Sequence, residues 1–256
     1  MAEFLIMFRE VLEASLIIGI LYTFLVQSKK PHLTNQLWNG VGLAIIASVI
    51  FSFLFQIFAG GFQGNASKIF EGFVMIAASL VLGTMIIWMA KNINIKAQLE
   101  KEAEDAMSSS NAGFGIFSLA FIAVFREGVE IILFMYSVML TSNGISIVSS
   151  TLGSLIGLFI GYLIFVKGKN VPLKQFFNFT SIFLIFVCAG MMAYGVHELE
   201  SGGLITDYGR FWDINPAKNL DGSYPLFHDK GMIGSLFKGF FGYNGNPSLI
   251  EFIAWL

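Results

Sequence analysis

Charge is scarce in this 256-residue sequence: Asp, Glu, Lys and Arg make up only 12% of it. A soluble domain carries roughly 25%, because its surface must be coated. There is one cysteine, Cys188, inside an apolar run, so no intrachain disulfide can form and no cysteine cluster can hold a metal. The three histidines, His32, His197 and His228, are too few and too scattered for a haem or di-metal enzyme site. No basic excess exists either. The net charge of -2 excludes a nucleic-acid footprint. The first residues, Met1-Ala2-Glu3, lack Lys and Arg, and no small-residue cleavage site follows the first apolar run. That run therefore reads as a spanning helix and not as a signal peptide.

What fills the sequence instead is apolar. Hydrophobic residues account for 55%, phenylalanine alone for 28 positions, and mean hydropathy is +0.73. A spanning helix needs about 20 mostly apolar residues. Segments 4–26, 37–59, 69–90, 114–141, 145–166 and 176–196 qualify. A further apolar stretch runs from Ser248 to Leu256, too short to cross about 30 Å at 1.5 Å per residue. It is either a truncated last helix or a segment that dips into the interface.

Lysines mark one side. Lys29 and Lys30, then Lys91, Lys96 and Lys101, then Lys167, Lys169 and Lys174 occupy the first, third and fifth connections, whereas the second and fourth hold only Lys68. The positive-inside rule places the lysine-rich connections in the cytoplasm and the N-terminus outside. Residues 198–247 then form an external loop whose turn signals predict folded structure: Asn215-Pro216, Asp221-Gly222, Asn244-Gly245 and Asn246-Pro247.

Phe8-Arg9-Glu10-Val11-Leu12-Glu13 recurs as Phe125-Arg126-Glu127-Gly128-Val129-Glu130. The repeat unit spans three helices, so its second copy runs opposite to the first. The expected architecture is an all-α polytopic membrane bundle in a single transmembrane domain. It comprises repeat 1 over about 1–90, a cytoplasmic linker at 91–112, repeat 2 over about 113–197, the external loop, and the start of a seventh helix at 248–256.

Ionisable residues within spanning helices are costly and mark function. In Arg-Glu-x-x-Glu the glutamates stand at i and i+3 on one helix face, and the arginine precedes the second by four, within pairing reach. Two such helices supply four carboxylates, Glu10, Glu13, Glu127 and Glu130, with Arg9 and Arg126 as counter-charges. Hard cations take oxygen ligands. Four glutamates against two arginines leave a formal charge of -2, which a divalent ion neutralises. Carboxylates crowded in a low-dielectric site cannot all stay ionised, so an arriving cation expels protons. A purely structural role, two buried salt bridges locking two helices, leaves one glutamate per helix without a purpose. Along the helices the two motifs lie about 10–15 Å and about 16–21 Å from the outer face, depths that overlap within boundary error.

Glu71, His197, Glu198 and Glu200 gather at the external helix ends, with Asp207, Asp213, Asp221 and Asp229 in the loop. An acidic outer vestibule would concentrate cations, although each loop aspartate taken singly reads as ordinary solvated surface. Cys188 and the eleven methionines read as packing, with no soft-metal site.

At these residues the sequence resembles the oxidase-coupled iron permeases, which include the fungal high-affinity and the bacterial elemental-iron permeases. The likeness rests on Arg9 to Glu13, Arg126 to Glu130, Phe70-Glu71-Gly72, Gly195 to Glu200, and Gly242-Tyr243 through Ser248 with Glu251. It covers essentially the whole chain and departs only in the short seventh helix. The resemblance implies a seven-helix iron permease of the cell or inner membrane, with no permanently bound cofactor and iron ions as cargo. It also implies a partner outside the cytoplasm: a multicopper oxidase in fungi or a periplasmic iron-handling protein in bacteria. From the residues alone the reading is a hard-cation transporter. Other cargoes such as manganese or lead, carried in a proton-coupled cycle, stay open at this point. A membrane di-metal enzyme would add histidines at Glu-x-x-His spacing, and these are absent.

Overall fold

The computed structural model describes residues 2–91, 95–108, 111–142, 144–165, 173–206, 209–215, 218–219 and 223–256. Asp207, Asp221, Lys167 and Lys169 lie outside them. The regular elements described are helices: α1 (Ala2–Gln27), α2 (Thr34–Gly60), α3 (Asn65–Lys91), α4 (Ile95–Ser108), α5 (Ala112–Ser142), α6 (Ile147–Phe165), α7 (Leu173–Ser201), α8 (Met232–Phe241) and α9 (Leu249–Trp255). Four stretches, Pro31–Gly60, Asn65–Trp88, Ile147–Phe165 and Phe179–Ser201, are long and apolar enough to cross a membrane. At 26 and 31 residues, α1 and α5 are just as long but carry the charged motifs. The exposed face of α2 is a row of large apolar side chains, among them Ile46, Ile50, Phe53, Leu54 and Ile57. Water would penalise such a surface, whereas acyl chains match it. The molecule is an all-α membrane helical bundle.

Its main helix pairings are preserved when the first three long helices are exchanged for the last three. α1 packs along α6, α2 along α5, α3 along α7, and α1 also meets α5. Small residues permit the close approach. Gly153 and Gly157 of α6 lie on the α1 backbone and Gly161 on the Ser15 side chain, and a Cβ on Gly157 would sit 2.9 Å from the Phe8 carbonyl oxygen. On the other side Gly40 and Ser48 of α2 meet Phe117 and Gly128 of α5. Helices packing within lipid gain little from apolar burial, so such small-residue rows supply the van der Waals contact that holds them.

α1 and α5 run antiparallel. The α1 end, Leu21 and Leu25, shares a core with Ile116 and Ala120 at the α5 start. The α1 start, Ile6, shares another with Phe134 and Val138 near the α5 end. There the Ser146 amide donates to the Glu3 carboxylate, 3.4 Å away. The two motifs fall between these cores.

One segment differs from its expected reading as a linker. Within 91–112 the chain forms α4, whose Leu99 and Ala103 are buried, and which packs on α5 and α1. The described part of the chain between α7 and α9 is also held in place by hydrogen bonds. Phe211 N donates to Pro247 O at 2.8 Å and Ile214 N to Gly245 O at 2.7 Å, and Asp229 accepts from Asn215 Nδ2 at 3.0 Å and Gly245 N at 2.6 Å. α8 stops at Gly242, which is left-handed (φ 65°) and so close to Gly190 of α7 that neither tolerates a side chain. α9 starts with a capping box between Ser248 and Glu251 and, at seven residues, spans only about 10 Å.

Candidate functional site

The motif glutamates converge where α1 and α5 cross. Glu10 from one helix and Glu127 and Glu130 from the other offer oxygens all within 4.8 Å of one another, and all three residues are buried. The Glu10 and Glu127 carboxyl groups interact electrostatically across the two helices. Glu10 Oε2, Glu127 Oε2 and Glu130 Oε2 are buried without a hydrogen-bond partner. A buried carboxylate oxygen with nothing to accept from is costly, and it needs a proton or a cation.

The arginines differ although their local sequences match. Arg9 is 1% exposed, and it reaches Glu10 Oε1 through Nη1 at 3.1 Å and Glu13 Oε1 through Nε at 3.0 Å. Arg126 donates from Nε to Glu130 Oε1 at 2.8 Å, but its side chain is 59% exposed. Glu13 is not in the three-carboxylate group. It lies about one turn along α1, clasped by Arg9, and lines a cavity of about 250 Å³ with Arg126, Glu127, and Gln98 and Glu102 of α4. On that side the glutamates face open space.

On the opposite side, Ala2, Val138 and Thr141 line a second cavity of about 190 Å³ together with Tyr194, His197, Asp229 and Glu251. The expected external residues divide there. His197 Nδ1 lies 3.0 Å from Glu251 Oε1, and Ser248 Oγ donates to Glu200 Oε1 at 2.8 Å. His197, Glu200 and Glu251 form a second close group. Glu198 is buried and interacts electrostatically with His197 and with Glu71 across α3 and α7. Glu71 accepts from Ser67 Oγ at 2.7 Å. Asp229 holds the loop together, and Asp213 accepts from the Asn215 amide, which is ordinary turn chemistry.

Reading the motifs and helix ends alone misses the centrality of Glu251. Its Oε1 receives Arg210 Nη1 at 3.2 Å and Ser248 N at 3.2 Å besides His197, and its Oε2 receives Asn244 Nδ2 at 2.6 Å. The available signal was the Ser-x-x-Glu spacing ahead of an apolar run, a helix start whose acid does more than cap.

The profile of the iron permease FTR1 family matches residues 1–256. The ferrous iron permease EfeU of Escherichia coli O6:K15:H31 is 31% identical over 258 residues, covering 98% of this chain and 90% of its own. That of Yersinia pestis is 30% identical over 251 residues, covering 97% and 86%. No solved structure matches. A family profile spanning every residue, together with relatives aligned over nearly their whole length, establishes that the chain belongs to the FTR1 iron permease family.

Proposed function

We propose that this protein, a membrane permease and not an enzyme, carries iron inward across the cell or inner membrane through the site where α1 and α5 meet. Glu10, Glu127 and Glu130 are the ligands at the centre, Glu13 is the next oxygen along the path, and Arg9 and Arg126 balance charge. One observation carries the reading: three carboxylates from two antiparallel helices share one small volume, each with a buried oxygen that accepts from nothing. Such a site suits a hard or borderline cation. The curated relatives are named for ferrous iron, and a divalent charge neutralises the motif residues. Iron is cargo, so no permanently bound cofactor is required.

The lysines of the first, third and fifth connections support an orientation with α4 in the cytoplasm and the N-terminus outside. The cavity bearing His197, Asp229 and Glu251 is then the outer approach, with Glu71, Glu198 and Glu200 on the helices around it. The folded loop behind that cavity is the surface available to an extracytoplasmic oxidase or periplasmic iron-handling partner.

Proteoliposomes holding the purified protein test the cargo. Uptake of iron should exceed that of manganese, magnesium, calcium and lead, and it should respond to an imposed pH gradient if protons leave as the ion binds. Equal uptake of another cation would replace iron by that cation.

A further inference from the structure

Aligning Arg9 with Arg126 pairs Ile6 with Ala123 and Ile17 with Phe134. These four residues flank the site. Ile6 and Phe134 stand one turn beyond Glu10 and Glu130 on the α1 N-terminal side, while Ile17 and Ala123 stand one turn beyond Glu13 and Glu127 on the α4 side. The repeat therefore maps one flanking pair onto the other.

The two pairs are in opposite states. Ile6 and Phe134 are fully buried in a core with Val138, Leu184 and Met191, and this layer separates the glutamates from the cavity beyond it. Ile17 and Ala123 are partly exposed and line the cavity that reaches Glu13 and Glu127. The arginines follow the same division: Arg9, toward the closed side, is buried on two glutamates, and Arg126, toward the open side, is exposed and reaches one.

We propose that Ile6–Phe134 and Ile17–Ala123 are the two gates of the permease and that transport exchanges their states. The structure has the α4-side gate open. In the alternate state α1 and α5 trade environments: Ile17 closes on Ala123, Ile6 parts from Phe134, Arg126 folds over Glu127 and Glu130, and Arg9 becomes exposed. An exchange-symmetric bundle can adopt both arrangements with the same contacts, and rocking one repeat against the other moves the opening while the site stays in place. The gates rest on the proposed path through the glutamates, but they can be read without iron.

The test uses the full chain in liposomes, with Cys188→Ser to remove the native thiol while keeping its bond to Ser79. A membrane-impermeant maleimide should label Ala123→Cys from the α4 side and label Ile6→Cys slowly from the other. Ala123→Ile gives the inner gate the bulk of the outer one. It should raise labelling of Ile6→Cys from the N-terminal side about tenfold, the change made by ~1.4 kcal/mol between two states. Unchanged labelling of Ile6→Cys overturns the exchange. Where Ala123→Ile does not fold, the pair Ile6→Cys and Phe134→Cys serves instead. Oxidation should stop uptake and reduction restore it, while undiminished uptake in the cross-linked protein overturns the outer gate. Exchange of labelling without any iron uptake would support the gates and fault the cargo.

Discussion

Two groups of buried acids sit in this bundle, and they differ in how fully their oxygens are supplied with donors. At the α1–α5 crossing, Glu10, Glu127 and Glu130 each keep an oxygen that accepts from nothing. At the α7–α9 contact, Glu251 is surrounded by donors from His197, Arg210, Asn244 and the Ser248 amide, while Glu200 accepts from Ser248 Oγ at Oε1 and has no hydrogen bond at Oε2. Both groups bring three potential ligand atoms within 4.8 Å of one another. Closeness of carboxylates is thus a poor guide to function, and the supply of donors is a better one. A carboxylate already furnished with hydrogen bonds gains little from a cation, whereas one without them gains much. On the proposed reading the first group receives the ion, whereas the second joins the chain before α9, and α9 itself, to α7.

The sharpest way to break this contrast is to remove charge from the first group. Glu10→Gln, Glu127→Gln or Glu130→Gln should each lower iron uptake at least ~100-fold, which corresponds to ~2.7 kcal/mol of lost ion stabilisation. Size-exclusion profiles should stay those of folded protein, because glutamine keeps the shape. Near-normal uptake in two of the three would remove the carboxylate site.

Within that group the arginines should part company. Arg9→Lys replaces a buried fork that braces two glutamates by a point charge, so a loss approaching the ~3–5 kcal/mol typical of a broken buried pair is expected as a lower unfolding temperature in detergent. Arg126→Lys, on an exposed side chain, should cost about 1 kcal/mol or less. Equal destabilisation would show that the difference in burial has no energetic weight.

The smallest effect on transport belongs to the second group. Glu251→Gln should leave uptake at saturating iron within about twofold, as expected of a carboxylate whose oxygens are already supplied with donors. It should still cost about 1–3 kcal/mol locally, seen as faster amide hydrogen exchange in residues 209–215 and 249–255. Loss of uptake at saturating metal, with exchange unchanged, would move Glu251 into the ion path.

Much of the fold could be read directly. Runs of apolar residues mark the six long helices within a few positions, because lipid demands length and hydrophobicity of any spanning segment. α4 was harder. Its charge reads as linker, and only the spacing of Leu99 and Ala103, four apart on one helical face, signals an amphipathic helix. The candidate ligands could be read from Arg-Glu-x-x-Glu, because three- and four-residue spacings on a helix are local geometry.

Other features belonged to the tertiary structure. Which three of the four glutamates gather within 4.8 Å depends on the register of α1 against α5, set by contacts from residues far away in the chain. The clasp at Glu251 joins His197 and Glu200 to a residue some fifty positions later. The unlike fates of Arg9 and Arg126 are the clearest instance. The sequence determined that each helix carries an arginine within reach of its own glutamates, since spacing along one helix settles that. It could not determine that one arginine is enclosed and the other open, because burial is set by what other segments lay over a residue, and nearly identical motifs can be covered differently.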